Sequence, residues 1–366
     1  MTNAYNGRMT HPLLARARRE GTPLIDDGPG DQITATFVRE SRRSVRLSGD
    51  FDGWARQDDP QAGTNMIEVA PGLWTLARAF PRDVYMEYAL FTGTRKSTDP
   101  LNARDTFNGV DSRNSFFYGP EAAPSALLRA ARGIARGEVT RHTLIADELI
   151  AGTSRELWLY RPPVEEPTPL IVVLDGRDYL RRARLPVIVD NLIAQGRVAP
   201  VALAMINCSR SARYLEYACN DATVGLLRDI VVPLAATQLP LVDAPGAHAV
   251  MGASMGGVMA LYAGLRAPNT FGRVLSQSGA FSTDMHRERS DDLAVFDLAR
   301  HADPAALKIW MDVGSYEDLA ACNRRMRDLL RKRGYAHAYR EYSAGHNYPA
   351  WRDDVSRGLE FLFPPH

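Results

Sequence analysis

Between Leu170 and Gly314 short, near-continuous apolar runs (LIVVLDG, VALAMIN, AHAVMGA, RVLSQSG and KIWMDVG) alternate with stretches of helical character. Strands apolar on both faces are expected when helices cover both sides of a parallel sheet. Two further strand patterns, Val139 to Ile145 and Glu156 to Tyr160, precede them, so the second half of the chain reads as an α/β doubly wound domain. The first half follows a different rhythm. ITATFV, VRLSG, MIEVA, LWTLARAF and VYMEYALF are short alternating runs split by turn residues, which predicts a small all-β, immunoglobulin-like sandwich.

The boundaries follow from where these patterns break. Residues 1–30 are polar and read as an arm, with a short helix around Leu13 to Arg19 and a loop at Asp26-Asp27-Gly28-Pro29-Gly30. The sandwich spans 31–120. Residues 121–137, with Pro120 just before them, place Pro124 ahead of Leu127, Leu128, Ala131 and Ile134 at helical spacing, which predicts a linker carrying a short amphipathic helix. The α/β domain occupies 138–366. With 366 residues, 45% of them hydrophobic, the chain can bury two cores.

Charge and cysteine content narrow the function classes. The net charge is +1, from 44 basic and 43 acidic residues without long blocks of one sign, which argues against a nucleic-acid or anionic-membrane partner. Cys208, Cys219 and Cys322 lack CxxC spacing, so neither a disulfide framework nor a metal site is indicated. The amino terminus shows no uninterrupted apolar segment with a small-residue cleavage site, and no later run reaches membrane-span length; a cytoplasmic location is expected. Whether the chain forms a homo-oligomer is left open.

The candidate chemistry centres on Gly252-Ala-Ser254-Met-Gly-Gly257. The apolar run ahead of it and the helix-forming stretch behind it put Ser254 on a strand-turn-helix corner, a nucleophile elbow. Bulk at Gly252 or Gly256 is expected to collide with the neighbouring strand and helix. A serine hydroxyl is a poor nucleophile at neutral pH and needs a base, itself oriented by an acid. Downstream, His286 and His301 lie in charged, helix-like stretches and His366 is terminal. His346, in Ser343-Ala344-Gly345-His346-Asn347 after the strand-like Tyr339 to Tyr342, is the expected base.

For the acid, the strand Lys308 to Val313 runs into Gly314-Ser315-Tyr316-Glu317-Asp318. Glu317 is the choice, with Asp318 and Asp312 as alternatives. Met255 is expected to offer one backbone N–H to the oxyanion. Arg177 is expected to offer the second, with Gly176 letting the backbone approach the substrate. No cofactor or metal is called for by this chemistry.

With these residues in place, the second half resembles the esterase D-like α/β-hydrolases, which include enterochelin esterases, carbohydrate-esterase-type feruloyl esterases and mycobacterial mycolyltransferases. The resemblance rests on Leu174-Asp175-Gly176, on Arg213-x-x-Glu216-x-x-x-Asn220, and on the elbow, whose Gly-Ala-Ser-Met-Gly is closer to the feruloyl-esterase and mycolyltransferase forms. It also rests on Leu275-Ser-Gln-Ser278-Gly279 and Gly345-His346-Asn-Tyr-Pro-Ala-Trp351-Arg352. It implies an α/β-hydrolase domain behind the sandwich. The first half resembles early-set, isoamylase-type modules through Leu47-Ser-Gly49-Asp50-Phe51-Asp-Gly53-Trp54, Trp74 and Asp99-Pro100. Trp54 and Trp74 read as core aromatics more readily than as a sugar platform. Arg213, Glu216, Asn220 and Trp351 are candidates for lining a substrate pocket, or for holding their loops in place.

The function these features imply is a serine carboxylesterase acting on a small-molecule ester through an acyl-enzyme, of enterochelin-esterase or feruloyl-esterase type. An acyltransferase or a peptidase on the same scaffold is the alternative. A glycan-binding or scaffold protein with a retired hydrolase domain would show a broken triad or a crowded elbow.

Overall fold

The computed structural model describes residues 11–54, 63–109, 112–145, 154–209, 211–282 and 293–365. His286 and His366 lie outside the described residues. The chain packs into two compact units, one comprising residues 1–123 with 315–317 and 343–347, the other 124–314, 318–342 and 348–366.

The described residues of the first unit include the strands β1 (Leu24–Asp27), β2 (Gln32–Glu40), β3 (Arg46–Gly49), β4 (Thr64–Asn65), β5 (Ile67–Ala70), β6 (Leu73–Pro81), β7 (Tyr85–Thr92), β8 (Arg95–Ser97), β9 (Asp105–Phe107) and β10 (Arg113–Tyr118). They form one sheet ordered β1-β2-β6-β5 and another ordered β4-β3-β7-β10-β9, with β8 beside β7. Alternation explains the core. Ile33, Ala35 and Phe37 of β2 and Phe80 of β6 bury one face against Leu47, Met86, Tyr88 and Phe117 of the other sheet, and Phe37 meets Tyr88 edge-on with centroids 4.8 Å apart. Trp74 packs against this core, its indole N–H donating to Ser41 O at 3.0 Å.

Two expectations need correcting here. The described part of the arm is built into the sandwich: helix Pro12–Glu20 buries Leu14 and Ala17 with Leu24, Val38 and Leu73, and β1 pairs with β2. The expected linker helix is a single 3₁₀ turn, Ala126–Leu128. Side chains of the second unit satisfy its backbone in place of helical bonds. Asn191 Nδ2 donates to Leu127 O (2.8 Å) and Arg129 O (2.9 Å), its Oδ1 accepts Ala131 N–H (3.2 Å), and Asp190 Oδ1 accepts Gly137 N–H (2.8 Å).

The second unit is built on β11 (Glu138–Ile145), β12 (Ser154–Arg161), β13 (Leu170–Leu174), β14 (Ala202–Ile206), β15 (His248–Ala253), β16 (Phe271–Gln277), β17 (Lys308–Gly314) and β18 (Ala336–Tyr342). Their order in one sheet is β11-β12-β14-β13-β15-β16-β17-β18. The β11–β12 and β12–β14 pairs are antiparallel, and from β14 to β18 every pair is parallel. Every residue of β13 and β14 is buried, which is why these strands read as unbroken apolar runs. Among the described residues no helix is long and apolar enough to cross a membrane.

Candidate active site

Ser254 stands alone between β15 and helix Met255–Arg266, at φ 59° and ψ −124°. This positive-φ conformation is strained for a residue with a side chain and persists only where its surroundings enforce it. Here its N–H donates to Gln277 O at 2.9 Å and its carbonyl accepts from Gly257 N (2.9 Å) and Ala280 N (3.1 Å). The small neighbours have separable reasons. A Cβ on Gly252 would lie 2.6 Å from Gly256 O, and one on Gly257 would lie 2.7 Å from Ser276 Oγ. One on Gly256 would meet nothing nearer than 3.5 Å, so the collision expected at Gly256 belongs to Gly257 instead. Met255 opens the helix, and its N–H is among the first four that have no intrahelical acceptor.

The turn after β13 departs from expectation in two respects. A Cβ on Gly176 would overlap the backbone of Met205 and Ile206, so the neighbouring strand β14, not a substrate, is what demands glycine there. The Arg177 N–H is already engaged, donating to Asn207 Oδ1 at 2.9 Å. Asp175, at φ 54°, takes a two-pronged ion pair from Arg213, whose guanidinium also lies over the Tyr217 ring at 5.2 Å.

The remaining pocket candidates are mostly committed to internal partners. Glu216 forms a buried ion pair with Arg155 and accepts Ser209 N–H at 3.2 Å. Asn220 Oδ1 caps helix Asp221–Gly225, accepting Ala222 N–H at 2.8 Å. Trp351 is buried in helix Tyr348–Leu362 and donates its indole N–H to Ser278 Oγ at 2.8 Å. Arg213 keeps a third of its side chain open. Burial, together with the nearby Asp175, pushes the Cys208 thiol up to about 12, so it is no competing nucleophile at neutral pH.

The candidate acid Glu317 and candidate base His346 lie in the first unit, on the two short loops it takes from the later chain. His346 Nδ1 and Glu317 Oε2 are 2.6 Å apart, with 1% of the Glu317 side chain exposed and 39% of the imidazole. A buried carboxylate bound to one ring nitrogen fixes the tautomer and the orientation of the imidazole. Asp318 is exposed. Asp312 is fully buried and accepts from Trp310 Nε1 (2.8 Å) and Gln277 Nε2 (3.2 Å). In chain order Ser254 follows the carboxyl end of β15, Glu317 that of β17 and His346 that of β18, all strands of one parallel array.

Among the described residues no group of three or more His, Cys, Asp or Glu side chains is arranged to hold a metal ion.

An eight-stranded sheet of this order carrying a serine elbow defines an α/β-hydrolase. Residues 150–362 match the family described as "Putative esterase". Over 94% of this chain and 91% of its own length, the iron(III) enterobactin esterase of Dickeya dadantii is 32% identical. The iron(III) salmochelin esterase of Escherichia coli O6:H1 is 26% identical over 93% and 90%. Among solved structures, the enterobactin esterase of Shigella flexneri in the presence of enterobactin superposes with a TM-score of 0.75 at 20% identity, covering 94% of this chain and 96% of that one. A ferulic acid esterase of Anaeromyces mucronatus superposes at 0.53, with 17% identity, over 66% and 94%. The chain belongs to the esterase family and is a carboxylic ester hydrolase.

Proposed function

We propose that the protein hydrolyses the esters of a catecholate siderophore through an acyl-enzyme on Ser254. The observation that carries the mechanism is the 2.6 Å contact between His346 Nδ1 and buried Glu317, in a chain whose elbow presents a serine. The Ser254 Oγ attacks the ester carbonyl carbon while His346 Nε2 takes its proton. Glu317 keeps the opposite ring nitrogen protonated and offsets the imidazolium charge. The tetrahedral oxyanion is held by the N–H groups of Met255 and Arg177, the latter exchanging Asn207 Oδ1 for the substrate oxygen. Collapse expels the alcohol, which takes the proton back from His346. Water then repeats the sequence and releases the acid.

The substrate class is supported by likeness to esterases of enterobactin and salmochelin over at least 90% of this chain and of theirs. We place the reaction in the cytoplasm, in keeping with three cysteines held as free thiols. The test is a plate of p-nitrophenyl esters of increasing chain length beside methyl ferulate and a catecholate trilactone, each run with Ser254→Ala as the blank. Preferred turnover of the trilactone supports the proposal. Preference for methyl ferulate moves the enzyme to the feruloyl class, and no serine-dependent turnover on any ester removes the mechanism.

A further inference from the structure

Among the described residues of the first unit four carboxyl groups are buried, Asp50, Glu87, Asp99 and Glu317, and Asp50 lies near enough to Glu87 and Glu317 to feel their charge. Burying acids near one another opposes folding, and where a fold tolerates it a function is the usual reason. Glu317 has its role with His346. Asp50 opens the 3₁₀ turn after β3 and is 4% exposed. Its Oδ1 accepts Trp54 Nε1–H at 2.8 Å; its Oδ2 accepts Glu87 N–H at 2.9 Å and Asn347 Nδ2–H at 3.2 Å.

Asn347 is the residue after His346. Gly345, the residue before it, lies so close against Asp50 that a Cβ there would overlap the carboxyl group. One side chain of the sandwich therefore touches both neighbours of the histidine. Tyr85 N–H donates to Ser343 O at 2.9 Å and Tyr316 N–H to Ala344 O at 3.1 Å, so the same loop is fixed at its start and joined to the loop that carries Glu317. Behind Asp50, Glu87 accepts from Tyr85 OH (3.0 Å) and Asn114 Nδ2 (2.7 Å), which immobilises the strand against which Asp50 rests.

We propose that Asp50 is a positioning residue for the reaction, setting the imidazole of His346 through Gly345 and Asn347. The early-set-like sandwich is by this account a working part of the hydrolase. The proposal rests on the proton-transfer role given to His346 and Glu317 above. Asp50 itself is held well above the usual carboxylate range by burial and by the like charges of Glu87 and Glu317, but both of its oxygens accept N–H groups, so asparagine, with one acceptor oxygen, reproduces only part of the set.

The test measures turnover of p-nitrophenyl butyrate, thermal unfolding and the downfield proton resonance of the His346–Glu317 hydrogen bond, assigned by its absence in His346→Ala. Displacing a reacting group by about 1 Å costs on the order of 100-fold in rate. Asn347→Ala and Asp50→Ala should each lower kcat by roughly 10- to 100-fold with KM within about threefold, and shift or erase the downfield resonance. Asp50→Asn, which keeps one acceptor oxygen, should fall between Asp50→Ala and wild type in kcat, and the double alanine variant should be no slower than the slower single one. Wild-type turnover in Asn347→Ala, losses that multiply in the double variant, or an unmoved resonance beside a fallen kcat would overturn the proposal. Should Asp50→Ala not fold, Asn347→Ala decides alone. Full activity in His346→Ala removes the underlying mechanism and this proposal with it; an inactive His346→Ala beside a fully active Asn347→Ala removes this proposal alone.

Discussion

Replacing Gly252 by alanine tests whether the elbow is held by steric necessity. The new Cβ would sit 2.6 Å from Gly256 O and 2.7 Å from Gly256 C, both backbone atoms in the first turn of the helix, whereas ordinary contact begins near 3.4 Å. Strand β15 and the helix must part by roughly 0.8 Å, and Ser254 sits between them. Overpacking of this kind costs about 1 to 3 kcal/mol, and a nucleophile displaced by most of an ångström loses about 10- to 100-fold in turnover. Gly256→Ala is the matched control, because its Cβ meets Asp175, Leu174 and Tyr217 only at 3.5 to 3.8 Å. It should leave stability unchanged or raise it by up to about 1 kcal/mol, alanine being the better helix former. Urea unfolding with two probes, together with kcat for a p-nitrophenyl ester, gives both quantities. Equal costs at the two glycines, or a Gly252→Ala enzyme of wild-type stability and turnover, would refute the argument.

Glu317→Gln should slow turnover by roughly 10²- to 10⁴-fold with the fold intact, and Asp318→Asn by less than about threefold; steady-state kinetics giving the reverse ranking would transfer the acid role. Glu216→Ala leaves Arg155 buried without its partner and should cost about 3 to 5 kcal/mol in denaturant unfolding, whereas wild-type stability with a changed ester preference would give Glu216 a pocket role instead. Asp50, raised by burial and by Glu87, contributes stability that is full below about pH 4 and lost as pH rises through its elevated folded value, because folding there requires a proton the unfolded chain has released. Asp50→Asn should therefore flatten the decline in unfolding free energy above about pH 4, and a wild-type slope in that variant would contradict the assignment.

Local signals made most of the fold legible. The β13 to β17 runs are apolar because helices cover both sheet faces, and the alternation of β2 records one face turned to a core. The elbow was legible for the same reason, since its strand, turn and helix are contiguous. What the sequence concealed depends on partners far away along the chain. The spacing of Leu127, Leu128, Ala131 and Ile134 favours a helix, but Asn191 and Asp190 satisfy that backbone and a helix is not needed. Arg155, 61 residues away along the chain, claims Glu216, and Asn207 claims the Arg177 amide. Asp50 and Asn347 are 297 residues apart, and no periodicity links them. Asp50 stands in the Gly49-Asp50-Phe51 stretch that marked the module, yet its tie to the histidine loop emerges only in three dimensions.

The central claim is that Ser254 is the nucleophile and that His346 activates it. The most direct measurement is peptide mass spectrometry after incubation with a fluorophosphonate, with residual esterase activity followed in parallel. The account predicts one covalent adduct on the peptide containing Ser254, formed in step with the loss of activity, absent in Ser254→Ala and formed at least about 100-fold more slowly in His346→Ala. An adduct on another residue, or continued hydrolysis by an enzyme fully labelled at Ser254, would contradict it.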